Sequence, residues 1–182
     1  MISGSEDRTV RVWDALDFQE IAVLKGHQDS VRSVTFAPDG TVIASCSEDR
    51  TVRLWSSSTL QEIAVLEGHT DKVWSVAFSP AGTRLASLSK DNTLRVWDAI
   101  GFVQLAELQA HVEGPLLVSV VFSFDGKAVW NRWGDSPAWI SEDEHDCEHR
   151  FTLRPFHTDT VLSAIWKTVP RSTVIGLSLI HI

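Results

Sequence analysis

Serine, histidine and aspartate are the residue types of nucleophilic catalysis. They gather here as His27, Ser45 and Asp49, with Trp55 following. A serine hydroxyl activated by a histidine that an aspartate orients is a general arrangement for acyl transfer. The same types return 42 residues later as His69, Ser87, Asp91 and Trp97, and 42 residues earlier as Ser3, Asp7 and Trp13. One active site does not recur at a fixed period, so these residues read as structural fasteners and no catalytic residue is assigned. A second chemical candidate is His145-Asp146-Cys147-Glu148-His149. On a strand, His145, Cys147 and His149 share one face in a way that suits zinc. No fourth ligand is spaced to close the site, so the patch reads as a solvated loop and no metal or cofactor is expected.

The elements that carry these residues repeat with them. Ser45-Cys46-Ser47-Glu48-Asp49-Arg50-Thr51-Val52-Arg53-Leu54-Trp55 matches Ser3–Trp13 and Ser87–Trp97 at one spacing, the signature of a repeat architecture. Gly26-His27 returns as Gly68-His69 and as Ala110-His111. Phe36-Ala37-Pro38-Asp39-Gly40 returns as Phe78–Gly82 and, with two residues inserted, as Phe122–Gly126. Within one unit, residues 30–36 are β-branched and aromatic and end at a Pro-Asp-Gly turn. Residues 41–45 form a second strand, Glu48-Asp49-Arg50 a turn, 51–55 an alternating third strand and 61–66 a fourth. Such a four-stranded antiparallel module cannot bury both faces alone. Radial stacking of neighbouring modules covers them, as in a β-propeller.

At this point the chain resembles the WD40 repeat family, through Gly26-His27 to Trp55-Ser56 and Gly68-His69 to Trp97-Asp98. The expected fold is all-β: a partial propeller of about three to four blades whose ring is not closed. The expected divisions are the end of a truncated blade at 1–25, complete repeats at 26–67 and 68–109, a divergent repeat at 110–155 and the start of a further blade at 156–176. In the divergent repeat Asp135 takes the place of Asp49, but Asn131 and Ser141 replace the serine and tryptophan, and Pro137 interrupts a strand. His157-Thr158-Asp159-Thr160-Val161-Leu162-Ser163 echoes His69–Ser75. Residues 177–182 resemble translated sequencing adapter and read as a non-native tail, with a genuine apolar strand as the alternative. Both ends read as cuts in a longer chain that holds the remaining blades.

The resemblance implies that histidine, serine, aspartate and tryptophan form a hydrogen-bonded tetrad. His27, Ser45, Asp49 and Trp55 would make one, and His69, Ser87, Asp91 and Trp97 another. Ser3, Asp7 and Trp13 would belong to a third whose histidine lies upstream. Trp13, Trp55, Trp97, Phe36, Phe78 and Phe122 repeat in register and read as core or tetrad. Trp74 does not repeat, its equivalents being Arg32, Val118 and Leu162. In the family this position opens onto the top face where partners dock. Ser30 and Lys72, and Glu6, Glu48 and Lys90 before the tetrad aspartates, line the same face. Variable Trp, Arg, Lys and Glu on an unvarying frame suit a partner-binding patch.

The hydrophobic fraction of 43% and charged fraction of 22% are those of a globular protein. The net charge of −8 argues against a phosphate-binding surface. Two cysteines without paired spacing suggest a reducing compartment, and no apolar run approaches the roughly 20 residues of a membrane span. The sequence therefore reads as a non-catalytic scaffold binding proteins or peptides, cytoplasmic, with the nucleus as the other location. Three near-identical successive repeats also resemble the WD-repeat arrays that follow NACHT-type NTPase domains in signalling proteins. The alternatives are a propeller-based enzyme or metal-binding segment using 145–149, and a chromatin- or RNA-associated subunit.

Overall fold

A computed structural model describes residues 1–109, 119–126, 128–131 and 138–139, all of them strands, turns and loops. Four antiparallel sheets follow one another in chain order. Sheet 1 holds β1 (Ile2–Gly4), β2 (Thr9–Trp13) and β3 (Glu20–Lys25). Sheet 2 holds β4 (Val31–Phe36), β5 (Val42–Ser47), β6 (Val52–Ser56) and β7 (Glu62–Leu66), and sheet 3 repeats it as β8 (Val73–Phe78), β9 (Arg84–Ser89), β10 (Thr93–Asp98) and β11 (Gln104–Gln109). Sheet 4 is described as β12 (Val120–Phe122), β13 (Ala128–Asn131) and β14 (Ala138–Trp139). Every pairing joins strands adjacent in sequence, so each sheet is a meander. The architecture is all-β, that of a partial β-propeller, with no closed ring among the described residues.

The core lies between sheets. Ala44, Cys46, Val52, Leu54 and Leu66 of sheet 2 pack on Val73, Val76, Leu85 and Trp97 of sheet 3. Val10, Val12 and Leu24 of sheet 1 meet Val31, Ile43 and Trp55 of sheet 2, and the residues facing sheet 4 are Ala86, Leu88, Leu94, Val96, Ala106 and Leu108. Alternation along β5 explains the division: Ile43 goes to one neighbouring sheet, Ala44 and Cys46 to the other. Each fully buried Val, Leu or Ile contributes about 1.5–3 kcal/mol, so stability resides in the sheet-to-sheet contacts.

Two backbone features position the upper loops. The register of β4 on β5 slips between Val31 and Ser33, and that of β8 on β9 slips between Val73 and Ser75. Arg32 and Trp74 are therefore equivalent bulge residues, expelled from the ladder. The turns at 5–8, 47–50 and 89–92 each place a non-glycine residue at positive φ: Arg8, Arg50 and Asn92. Beneath them, the glycine of each Gly-His pair lets an arginine lie flat. A Cβ on Gly26 would come within 2.7 Å of Arg53 Nη1, and one on Gly68, at φ +145°, would strike Arg95.

Phe36 departs from the sequence expectation of a core residue. Phe122 is buried and Phe78 packs on the interface between sheets 2 and 3, but Phe36 is 38% exposed. It faces three-stranded sheet 1, which has no described strand at the level of β4 to cover it. The residues expected at Asp135, Pro137 and Ser141, the 145–149 patch, the His157 echo and the 177–182 tail all lie outside the described residues. So do Val118 and Leu162.

Candidate functional site

The tetrad residues come together through strand register. Ser45 on β5 and Trp55 on β6 sit on one face of sheet 2, and Trp55 Nε1 donates to Ser45 Oγ at 2.8 Å. The loop before β4 brings His27 over the pair, with Nε2 at 2.8 Å from Ser45 Oγ and Nδ1 at 2.8 Å from Asp49 Oδ2. One proton arrangement satisfies all these contacts. Nδ1–H donates to the carboxylate, the serine hydroxyl donates to Nε2, and the serine oxygen accepts from the indole. His27 also stands edge-on to Trp55, with ring centroids 6.3 Å apart.

Sheet 3 reproduces the set. His69 lies 3.0 Å from Asp91 and 2.8 Å from Ser87, and Trp97 donates to Ser87 at 2.8 Å. In sheet 1 Trp13 donates to Ser3 at 2.8 Å, and Asp7 turns to Arg11 at 2.7 Å.

The aspartates anchor the upper loops. Asp49 accepts from the Gln28 amide, the Thr51 amide and the Thr51 hydroxyl as well as from His27. Burial raises the Asp91 pKa, but hydrogen bonds from Thr93, the Thr70 amide and His69 outweigh it and hold the carboxyl at about 2. The balance at Asp49 has the same direction: burial is outweighed by His27, Gln28 and Thr51. Burial depresses His69 below its usual 6.5, against the pull of Asp91.

Two further repeating residues belong to this frame. Ser47, fully buried, donates to the Asp29 carbonyl at 2.9 Å and accepts from the Asp49 amide at 3.1 Å. Ser89 does the same with Asp71 and Asp91. Thr51 and Thr93 cap the aspartates. Exact recurrence at 5, 47 and 89, and at 9, 51 and 93, was the available sequence signal for them.

The geometry is that of a catalytic triad with no route for substrate. Ser45 and Ser87 are 0% exposed, and an indole N–H caps each oxygen. A nucleophile needs an open approach to its oxygen. Cys46 is sealed as well: burial pushes its thiol well above the normal range, away from the reactive thiolate.

Above the frame lie the non-repeating residues. Glu48, 10% exposed at its side chain, bonds Arg32 of its own sheet and Lys72 of sheet 3. Arg32 also approaches Glu6 of sheet 1 at 3.7 Å. One chain of alternating charge, Glu6–Arg32–Glu48–Lys72, thus crosses three sheets. Lys72, then Arg32, lowers the Glu48 pKa against the effect of burial. Lys90 stands where Glu48 stands one repeat earlier and faces Asp71 at 4.0 Å. Ser30 accepts the Glu48 amide at its carbonyl, and the Lys72 carbonyl accepts from Lys90. Trp74 is half-buried in its bulge. Among the described residues, no group of three or more His, Cys, Asp or Glu side chains is arranged to hold a metal ion.

A family model described as WD domain, G-beta repeat, matches residues 1–14, 18–56 and 60–98, together half of the chain. Similar curated proteins include nuclear distribution protein PAC1 of Mycosarcoma maydis, 40% identical over 43 residues, covering 24% of this chain and 10% of that protein. Ribosome assembly protein 4 of Chaetomium thermophilum is 45% identical over 47 residues, 25% of this chain and 9% of its own length. Human WD repeat and SOCS box-containing protein 1 is 44% identical over 46 residues, covering 25% and 11%. The chain thus spans about a tenth of the length of these relatives.

Proposed function

The chain belongs to the WD40 repeat family, and from that membership we propose that it is a non-catalytic scaffold. It binds partner proteins on the face formed by the 25–30 and 67–72 loops and the turns at 47–50 and 89–92. The observation that carries this reading is the division of labour between equivalent positions. Repeating polar residues satisfy one another inside the frame, while the bulge residues differ in type, Arg32 being exposed and Trp74 half-buried. Bulges that re-aim side chains are common beside functional sites, and Trp and Arg dominate binding hot spots.

The relative described as a ribosome assembly protein supports an assembly role, and the location we infer is the cytoplasm or the nucleus. The near-identity of three successive repeats extends the reading to a recognition segment in a signalling chain of the NACHT–WD-repeat type. The test is a pull-down with the chain immobilised, comparing the unaltered protein with Trp74→Ala and with Asp39→Ala on the opposite turns. Loss of partners with Trp74→Ala alone, at unchanged circular dichroism, is the expected result. Retention of every partner by Trp74→Ala would overturn the assignment.

A further inference from the structure

Among the described residues sheet 1 has three strands where sheets 2 and 3 have four. Its β1, β2 and β3 are equivalent to the second, third and fourth strands of those sheets. β1 pairs with β2 on one side only. Met1 exchanges both its backbone groups with Trp13, so by alternation Ile2 and Gly4 turn theirs to the open edge. The tetrad is short of the same piece. Trp13 donates to Ser3, but no described imidazole joins Ser3 to Asp7. The Asp7 side chain is 44% exposed, against 6% for Asp49 and for Asp91. Ser47 and Ser89 each donate to the carbonyl two residues after the histidine, whereas their equivalent Ser5 has no such carbonyl among the described residues.

One stretch outside the described residues carries all of these parts in order. His157-Thr158-Asp159-Thr160-Val161-Leu162-Ser163 differs from His69–Ser75 only at Thr160 and Leu162. Trp166 follows Phe122 by 44 residues, as Phe122 follows Phe78. Residues 157–166 come after sheet 4 in the chain, and sheet 4 stands at the opposite end of the stack from sheet 1. The three core clusters join sheets 1 and 2, sheets 2 and 3, and sheets 3 and 4, and none of them joins sheet 4 to sheet 1. Each copy therefore offers the segment beyond one end of its stack and the edge that fits it at the other.

We propose that residues 157–166 of one copy add to β1 of a second copy as its first strand, and that two copies exchanging this segment close into one ring. The register of β4 on β5 and of β8 on β9 sets the pairing: Ala164 opposite Ser3, Ile165 opposite Ile2 and Ser163 opposite Gly4. His157 then joins Ser3 to Asp7, as His27 joins Ser45 to Asp49. The Thr158 amide reaches Asp7 and the Asp159 carbonyl accepts from Ser5, as Thr70 and Asp71 do one sheet on. Arg11 keeps Glu20 when Asp7 turns to the imidazole. Because β4 and β8 lie side by side, a strand on β1 lies beside β4 and covers Phe36. Two copies hold twice the four sheets described, within the 4–8 blades of typical propellers. A head-to-tail contact of this kind makes a closed assembly when its rotation returns to the start.

The test is disulfide trapping in the full chain, with Cys147→Ser as background and Cys46 buried. A chain carrying Ile2→Cys is mixed with a tagged, larger chain carrying Ile165→Cys, oxidised and run on a non-reducing gel. Directly opposed strand residues lie about 5.5 Å apart at Cα, within disulfide reach. The linked pair of unequal chains is expected at least about tenfold more abundantly than with Thr160→Cys in place of Ile165→Cys, a position out of register and out of reach. Light scattering of the unaltered chain should level off at twice the 20.2 kDa of one chain. His157→Ala should weaken that dimer about tenfold, through the hydrogen bonds lost at Ser3 and Asp7. Cross-linking within single chains of the double variant Ile2→Cys, Ile165→Cys, with none between the mixed single variants, would show each chain closing on itself and overturn the exchange between copies. No enrichment over the Thr160→Cys pair, or a dimer indifferent to His157→Ala, would overturn it as well.

Discussion

Ser45 Oγ is a junction: it accepts from Trp55 and donates to His27, which passes the chain to Asp49. Removing it orphans two buried ring nitrogens at once. Ser45→Ala should therefore cost on the order of 3 kcal/mol and lower the melting temperature by about 6–12 °C, measured by calorimetry. A shift within experimental error would mean that the tetrad is ornamental.

The charge state of the second tetrad predicts a pH profile. His69 has a folded-state pKa depressed below 6.5, so its contribution is complete above pH 6.5 and is lost as the pH falls below it. Asp91 is depressed from 3.8 to about 2, so its contribution is complete above 3.8 and is lost between 3.8 and 2. Thermal melts should be flat from neutral pH down to 6.5 and then decline in two stages. A melting temperature that rises on acidification from pH 7 to pH 5 would contradict this. Spacing alone marked these residues as a repeating structural set, and the family resemblance supplied their pairing as a tetrad. The Glu48–Lys72 contact was not legible, since it joins two sheets and depends on how they pack.

At the scale of elements, the turns before β2, β6 and β10 share one design, but their residues at positive φ are not equally suited to it. Arg50 holds φ +73° where the next repeat has Asn92 at φ +62°. Asparagine tolerates the left-handed region better than arginine, whose Cβ is crowded there at a cost of roughly 1–2 kcal/mol. Arg50→Asn should raise stability by about 1 kcal/mol in chemical denaturation; a loss of stability would show that Arg50 makes an unrecognised contact.

Strand positions were legible to within a residue or two from β-branched runs and turn signals. The sequence reading ended the second strand at Ser45, whereas β5 continues to Ser47 because that serine is buried and paired with the Asp29 carbonyl. The bulges escaped detection because strict alternation gives no hint of an extra residue. Their consequence is large: they put Arg32 and Trp74 outside the ladder.

For the whole molecule, each sheet is stabilised by its neighbours, as expected for a stack of repeats. Sheet 2 has both faces covered, and Ile43 is 0% exposed while Leu60 packs on the interface with sheet 1. The residues 42 positions earlier, Met1 and Phe18, are 54% and 64% exposed. Phe18 moreover sits at φ +59°, and Leu16 beside it is 92% exposed. An apolar face of this kind favours self-association. Light scattering should show the 182-residue chain associating with increasing concentration, and Phe18→Asn should reduce both that association and dye binding without lowering the melting temperature. A chain that stays monomeric at all concentrations would contradict this account of the face. The repeat architecture was legible from the period. The exposure of Phe36 was not, because it is decided by the neighbouring sheet.

The central claim is that repeating residues hold the fold and the non-repeating bulge residues meet the partner. Hydrogen exchange measured by mass spectrometry, with and without a partner retained in the pull-down, tests it most directly. Added protection confined to residues 28–33, 47–50 and 70–75 is the predicted footprint. Protection centred on the opposite turns at 37–41 and 79–83, with those segments unchanged, would contradict it.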